Sequence, residues 1–338
     1  ADRTVNCPAW VNLSKNMPSG PASMAAMEGT LMHLLFERGV EDPDFEPNEM
    51  VGESREIDGQ VLTVTPEHTE KVYTALEVLD DMVEQYDWDA VWPEVIMSTD
   101  DDTGGTADII AWTYKDSSKT TLKSFAVGDL KMGDGHLIFA EDNKQLLFYA
   151  WQAIEKYKHK LHFHEDTAID LFIIQPSDRR DDPMDVWTTD MKTVMKFKRD
   201  FLKAQKHAKA GIKEPCPGSH CKYCPAEPVC PAKKGMIQAS RRIPKESVEL
   251  ADLIKALSMV DDVEAWCRAV RKTAHEQAEA GVKLDGFKLV AKRATRQWVD
   301  PVEAEITFKN ARSLKAEDYY NQTLKSPAQL EKVCKAKK

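Results

Sequence analysis

Apolar positions along the chain recur with two different periods, and these periods predict an alternation of helices and strands. Apolar residues three and four positions apart predict helices over residues 23–38, 67–86, 143–158 and 185–210. Short apolar runs predict strands over residues 92–97, 106–114, 122–131 and 169–174. The first 20 residues, with Pro8 and Pro18, are expected to be irregular. This order predicts an α/β core, and the pattern beyond it predicts a mainly helical C-terminal part.

Composition places the chain among ordinary soluble globular proteins. The 338 residues are 42% hydrophobic and 30% charged, and the longest apolar runs are too short to cross a membrane. No apolar signal segment opens the chain, so we expect a cytoplasmic protein without membrane contact. In that compartment the seven cysteines are expected to be metal ligands or free thiols. The net charge of −10 is unusual for a protein that coats nucleic acid, but it does not exclude local handling of DNA.

Two motifs place carboxylates on neighbouring predicted strands. Gly-Thr-Ala-Asp ends at Asp108, and Gly-Asp-Leu-Lys contains Asp129 and Lys131. In a hairpin the two carboxylates can converge, and carboxylate oxygens suit a small hard cation such as Mg²⁺. Lys131 shares a strand face with Asp129, where its ammonium could orient a water or neutralise charge on a phosphate. Either aspartate alone could equally be an ordinary turn residue.

Three further polar side chains lie on predicted helices. His33 could be another metal ligand, or a helical histidine with ordinary polar partners. Gln145 and Tyr149 are four residues apart on a largely apolar helix, so they share one face. They could bind a substrate backbone, or could simply pack against neighbouring residues.

As an ordered set, these motifs resemble the RecB/AddB-type branch of the PD-(D/E)XK nuclease superfamily. The whole chain looks like an uncharacterised phage and prophage family within that branch, through Cys7-Pro8 and the segments at 286–290 and near the C-terminus. The resemblance implies a restriction-endonuclease-like core, in which a mixed central sheet is flanked by helices. It also implies that His33, Asp108, Asp129 and the backbone carbonyl of Leu130 bind Mg²⁺ or Mn²⁺.

The same resemblance implies roles for the remaining motif residues. Lys131 would act on the nucleophile, together with Asp108 and Asp129, and Glu94 occupies a position where related proteins often carry an acid. Gln145 and Tyr149 would contact the substrate. The nuclease domain is expected over residues 1–235, followed by a helical and basic extension over 236–338.

A cluster of cysteines lies near the end of the predicted nuclease domain. Cys221, Cys224 and Cys230 have C-x2-C-x5-C spacing, with Cys216 five residues earlier and several prolines between them. A pair at C-x2-C chelates one metal well, so the cluster predicts a metal site within residues 216–230. Cys216, Cys221, Cys224 and Cys230 could hold zinc.

The C-x2-C-x5-C triplet also resembles the iron–sulfur staple of AddB-type and CRISPR-adaptation exonucleases. There the fourth ligand lies far upstream, before the helix with the motif histidine, and Cys7 stands in that place. The resemblance therefore implies a [4Fe–4S] cluster on Cys7, Cys221, Cys224 and Cys230, with zinc or ligation by Cys216 as alternatives.

Basic and aromatic residues alternate near the C-terminus, which suits single-stranded nucleic acid but equally suits a charged hairpin. They are Lys283, Phe287, Lys288, Lys292, Arg293, Arg296 and Trp298.

We expect a metal-dependent DNA nuclease, an exonuclease on single strands or duplex ends in phage recombination or DNA processing. It would work in the bacterial host cytoplasm, with a phage recombination protein or further copies of itself as partners. The alternatives are a non-catalytic nucleic-acid-binding module that retains the fold and a zinc-stapled scaffold protein.

Overall fold

The computed structural model describes most of the chain, in two compact units of residues Ala1–Asp285 and Gly286–Lys338. The described residues are 1–17, 22–100, 103–133, 135–177, 179–211, 214–222, 224–240, 249–290, 301–311 and 313–320. The division expected at residues 235 and 236 stays a prediction. No described helix is both long and apolar enough to span a membrane.

The first unit consists of helices and of strands that form two sheets. Its helices are α1 (Asp2–Asn6), α2 (Ala9–Leu13), α3 (Met24–Glu41), α4 (Pro66–Tyr86), α5 (Lys144–Tyr157), α6 (Met191–Lys209), α7 (Pro231–Ser240) and α8 (Leu250–Glu279). Its strands are β1 (Ser54–Ile57), β2 (Gln60–Thr63), β3 (Ala90–Asp100), β4 (Thr103–Tyr114), β5 (Leu122–Leu130), β6 (Ala168–Ile174) and β7 (Met184–Thr189). Short 3₁₀ turns cover Pro47–Met50, Ser219–Cys221 and Glu227–Val229. The described part of the second unit holds α9 (Pro301–Asn310) and α10 (Ala316–Tyr319).

A five-stranded mixed sheet in the order β3-β4-β5-β6-β7 forms the centre of the first unit. Neighbouring strands are antiparallel, except for the parallel pair β5 and β6, which α5 connects. A parallel pair requires such a crossover, and a helix of this length is the usual solution. The expected mixed α/β sheet flanked by helices is therefore confirmed.

Both faces of the sheet are covered, because successive residues of each strand point to opposite sides. Phe125 and Val127 pack with α5 and α6 on one side, whereas Ala126 and Leu130 pack with α3 and α4 on the other. The continuous apolar runs of β5 and β6 follow from this burial on two faces.

Two local predictions were wrong, and one hairpin was not predicted. The first residues are not irregular, since α1 and α2 form there and pack against α6. Residues 184–189 form β7 rather than the start of a helix, because their backbone pairs with β6. Asp190 then caps α6, and its side chain accepts a hydrogen bond from the Thr193 amide. The hairpin of β1 and β2 was missed.

Candidate metal centre

Three carboxylates lie in one row across adjacent strands of the central sheet. Ile109 pairs with Gly128, so extending the register by one residue places Asp108 opposite Asp129. Glu94 falls between the pairs Pro93–Ile109 and Val95–Ala107, and therefore also lies level with Asp108. The sheet register thus brings together acidic residues that are far apart in the sequence.

The backbone at Glu94 departs from regular strand geometry. Its φ is +46°, a left-handed conformation that non-glycine residues rarely adopt. Trp92 packs edge-on against Trp112 on the face of the sheet that α5 covers. Val95, three residues later, belongs to the hydrophobic cluster on the same face. The alternation of side chains between the two faces is therefore interrupted between Trp92 and Val95. Such positions persist only where surrounding structure holds them, and they concentrate at functional sites.

His33 from α3 completes a group that could hold a metal ion. Its Nδ1 lies 3.4 Å from Glu94 Oε1 and 3.5 Å from Asp108 Oδ1. One potential ligand atom from each of the three residues lies within 4.8 Å of the other two. The Leu130 carbonyl is 3.1 Å from His33 Nε2 and therefore borders the group. Its ligation of a metal stays a prediction. Carboxylate and carbonyl oxygens suit Mg²⁺ and Mn²⁺, whereas an imidazole ligand suits transition-metal cations.

The electrostatics of this group favour a positive charge between the carboxylates. Burial by itself lowers the pKa of His33, but the hydrogen bonds and negative charges of Asp108 and Glu94 outweigh it and raise the pKa to about 10. The imidazolium therefore offsets one of the two negative charges of Asp108 and Glu94. A bound cation would take over that role and would leave the imidazole neutral.

Asp129 has a separate set of partners. Lys131 Nζ lies 2.5 Å from its Oδ2, and the Gln145 amide donates to its Oδ1 at 2.8 Å. Burial, more than the neighbouring Asp108, raises the pKa of Asp129 despite the opposing effect of Lys131. Asp129 is not among the three clustered ligands, so its predicted metal ligation stays a prediction.

Gln145 and Tyr149 link helix α5 to the carboxylate row. The Gln145 amide also donates to Tyr149 Oη at 3.0 Å, so both predicted substrate residues belong to one hydrogen-bonded chain ending at Asp129. The Asp108 carboxylate in turn accepts the Leu130 amide at 2.6 Å. This network fixes the orientation of the side chains. Substrate binding by Gln145 and Tyr149 stays a prediction.

Two motif glycines allow close packing around the site. A Cβ at Gly105 would lie 2.9 Å from the Tyr149 ring, and one at Gly128 would lie 2.3 Å from the Phe172 ring. The glycines beside the catalytic candidates therefore have a steric reason to be glycine.

The motif residues line one open cavity of about 570 Å³, which has further acidic and polar walls. Its walls include His33, Glu37, Glu94, Asp108, Asp129, Lys131, His136, Gln145, Tyr149 and Gln175.

Sequence reasoning missed Gln175. Its buried amide accepts from the Ile138 amide and donates to the carbonyls of Gly133 and His136, so it holds the loop bordering the cavity. A polar residue directly after the apolar run 169–174 was a signal that could have identified it.

The five candidate cysteines line one small cavity, at which Cys7 meets the cysteine-rich segment. Cys7 Sγ accepts the Cys216 amide at 3.4 Å, across 209 positions of sequence. Cys7 and Cys230 are buried and Cys221 and Cys224 are half-buried, whereas Cys216 is exposed. Burial raises the pKa of the thiols of Cys221 and Cys224.

The described residues include part of the basic C-terminal stretch. Lys283, Phe287 and Lys288 are described and exposed, whereas Lys292, Arg293, Arg296 and Trp298 lie outside the described residues.

The fold and site define a mixed α/β protein with a His–Glu–Asp group that could bind a metal. The chain belongs to the DUF2800 family, described as a protein of unknown function, which it matches over residues 1–338. It is also similar to the crystal structure of a candidate exonuclease from Eubacterium rectale, with 9% identity and a TM-score of 0.32. That similarity covers 75% of this chain and 94% of the other.

Proposed function

We propose that this chain is a Mg²⁺- or Mn²⁺-dependent nuclease that hydrolyses DNA phosphodiesters, acting as an exonuclease on single strands or duplex ends. The observation that carries the proposal is the grouping of His33, Glu94 and Asp108 within 4.8 Å, with the Lys131–Asp129 ion pair in the same cavity. Paired acids that hold a cation beside a lysine suit attack by water on a phosphate.

Each residue has a role that follows from its position. His33, Glu94 and Asp108 would hold the cation, and Asp129 with the Leu130 carbonyl would complete its surroundings. A bound divalent cation polarises the phosphate and lowers the pKa of its water. Lys131 would orient that water and offset negative charge on the phosphate oxygens, and Gln145 and Tyr149 would position the strand.

The reaction is a hydrolysis. The water oxygen forms a new bond to phosphorus and loses a proton to solvent. The bond from phosphorus to the leaving ester oxygen breaks, and that oxygen takes up a proton. Within the bacterial host cytoplasm the reaction would serve phage recombination or DNA processing, with a phage recombination protein or further copies of this chain as partners.

Replacing Asp108 with asparagine tests the metal centre. The substitution removes one ligand charge while keeping the side-chain size, so we expect Mn²⁺ affinity to fall at least about tenfold and cleavage to disappear. Isothermal titration with Mn²⁺ and gel assays on end-labelled single- and double-stranded DNA, with and without EDTA, would measure both effects. Asp181→Asn is the matched control, because Asp181 is an exposed carboxylate outside the cavity lining.

The same assays separate the alternatives. DNA binding without metal-dependent cleavage by the unmodified protein would indicate a non-catalytic binding module. Undiminished cleavage by Asp108→Asn would contradict the proposed metal site.

For the cysteine cavity we propose a [4Fe–4S] cluster on Cys7, Cys221, Cys224 and Cys230. One thiol from the beginning of the chain and three from residues 221–230 line one cavity, and this donor set suits such a cluster. Cys216 is the exposed member, which favours Cys7 as the fourth ligand. The cluster would connect α1 and α2 to the segment 216–230 and so close a loop of more than 200 residues.

Serine substitutions distinguish the ligand sets. In anaerobically purified protein, Cys224→Ser should remove the visible absorbance and most of the iron, whereas Cys216→Ser should retain both. If Cys216→Ser loses the cluster and Cys7→Ser retains it, the ligands would instead be Cys216, Cys221, Cys224 and Cys230. If the purified protein is colourless and contains stoichiometric zinc, the site holds zinc and not a [4Fe–4S] cluster.

A further inference from the structure

A second cavity adjoins the proposed metal centre, and no role above uses it. Its volume is about 640 Å³, and Gln145 and Tyr149 line both cavities. Its other walls come from α1, α2, the beginning of β4, α6 and the segment 219–222. A volume of this size falls within the range of roughly 300–1,000 Å³ that is usual for small-molecule sites.

Cationic side chains outnumber carboxylates in this second cavity. Arg3 and Lys222 line it beside the His220 imidazole, and Asp2 is the single carboxylate among the described lining residues. The Arg3 guanidinium donates to the carbonyls of His220 and Lys222, at 3.5 Å each, which holds it at the wall of the cavity. Lys222 is exposed and lines the cavity.

Aromatic rings form much of the remaining wall. The Arg3 guanidinium lies over the Trp10 ring, 5.1 Å from its centroid. Phe148 contacts Tyr149 and Phe201, with ring centroids 5.9 and 5.1 Å apart. Cations interleaved with aromatic rings are the side chains that bind the phosphates and unpaired bases of single strands.

The two cavities have opposite charge. Four carboxylates line the first, namely Glu37, Glu94, Asp108 and Asp129, against the two cations Lys131 and His33, so its net charge is negative and it favours cations. The second attracts phosphate directly. A strand whose reacting phosphate lies at the metal centre would therefore find a phosphate-binding surface next to it, beyond Gln145 and Tyr149.

We propose that the second cavity binds the nucleotide next to the reacting phosphate, on single-stranded DNA. Its phosphate lies against Arg3 and Lys222, and its base stacks on the rings of Trp10 and Tyr149. A paired base in a duplex is already stacked and does not offer its face to these rings. This inference rests on the proposed nuclease function and specifies its substrate as an unpaired strand.

Binding measured without catalysis tests this assignment. The full-length protein, purified anaerobically, would be titrated in EDTA against a fluorescein-labelled 12-nucleotide oligothymidylate, with binding followed by anisotropy. We expect Lys222→Glu to weaken binding at least tenfold at low salt and to reduce the salt dependence of binding by about one phosphate contact. Lys160→Glu makes the same charge change at an exposed site outside the cavity and should bind normally.

Photocrosslinking locates the base. An oligonucleotide with one 5-iododeoxyuridine should crosslink to a peptide that contains Trp10 or Tyr149, and Trp10→Leu should reduce that yield. Crosslinks confined to other surfaces, or normal binding by Lys222→Glu, would overturn the assignment. Equal competition by thymidine monophosphate would also overturn it, because it would indicate a free-nucleotide site.

The outcomes are separable from those of the metal-centre test. Mn²⁺-dependent cleavage with normal binding by Lys222→Glu would leave the nuclease standing and remove the second cavity from its substrate path. Oligonucleotide binding that depends on Lys222 without any cleavage would retain the cavity as a DNA site and reject the nuclease.

Discussion

Replacing Lys131 with alanine is expected to slow metal-dependent DNA cleavage about 1,000-fold, because positioned charge and proton-transfer groups typically contribute 10²–10⁴-fold. Lys131 Nζ contacts Asp129 beside the His33–Glu94–Asp108 group, and in the proposed reaction it would act on both the attacking water and the phosphate. Its removal also leaves the buried Asp129 carboxylate without its neutralising partner. Single-turnover cleavage of end-labelled DNA in saturating Mn²⁺ would measure the effect.

Lys123 provides a matched control on the same strand. It is exposed on β5 and lies outside the cavity lining, so Lys123→Ala should cleave at the normal rate. Mn²⁺ binding by Lys131→Ala should persist, since His33, Glu94 and Asp108 are untouched. A Lys131→Ala protein that cleaves within a few-fold of the unmodified rate would remove this lysine from the mechanism.

Replacing Gly128 with alanine is expected to lower the free energy of unfolding by about 3 kcal/mol, the upper part of the usual range for overpacking. The added methyl group would lie 2.3 Å from two carbons of the Phe172 ring, far inside van der Waals contact. Phe172 is fully buried and stacks on Trp88, so the ring has little room to move. Urea unfolding followed by tryptophan fluorescence would measure the loss.

A second substitution shows whether the clash is the cause. Phe172→Leu removes ring atoms, so the double variant with Gly128→Ala should be more stable than the two single effects predict, by about 1–2 kcal/mol. Gly29→Ala is the contrasting control, because a Cβ there meets nothing within 4 Å inside α3 and should stabilise the helix by about 0.5–1 kcal/mol. Simple additivity in the double variant would refute the steric explanation.

Much of the fold could be predicted from the sequence because the periodic spacing of its apolar residues is clear. The helix expected over residues 67–86 is observed as Pro66–Tyr86, and the strand expected over 169–174 is observed as Ala168–Ile174. Both elements have a continuous buried face, and the periodic spacing of apolar residues in a sequence marks such a face.

The errors fall where tertiary contacts outweigh local preference. Strand β7 is half-buried and carries a weak apolar pattern, but its pairing with β6 determines its conformation. Helices α1 and α2 are only five residues each, too short to be stable alone, and they pack against α6.

By itself, the sequence determined which side chains are candidates for metal and substrate binding. It also determined which of these candidates lie close to each other within one strand or one helix. Lys131 shares a strand with Asp129, and Gln145 lies one helical turn before Tyr149, so local geometry alone relates each pair. It also singled out Cys7, although only by resemblance.

The tertiary structure alone decided how those pairs combine. Sheet register places Glu94 beside Asp108, and the packing of α3 brings His33 to both, across more than 60 residues of sequence. Likewise, the meeting of α1 and α2 with the segment 216–222 places Cys7 at Cys216 and builds the second cavity. Periodicity describes one element at a time, whereas these contacts depend on how separate elements pack, which no local pattern encodes.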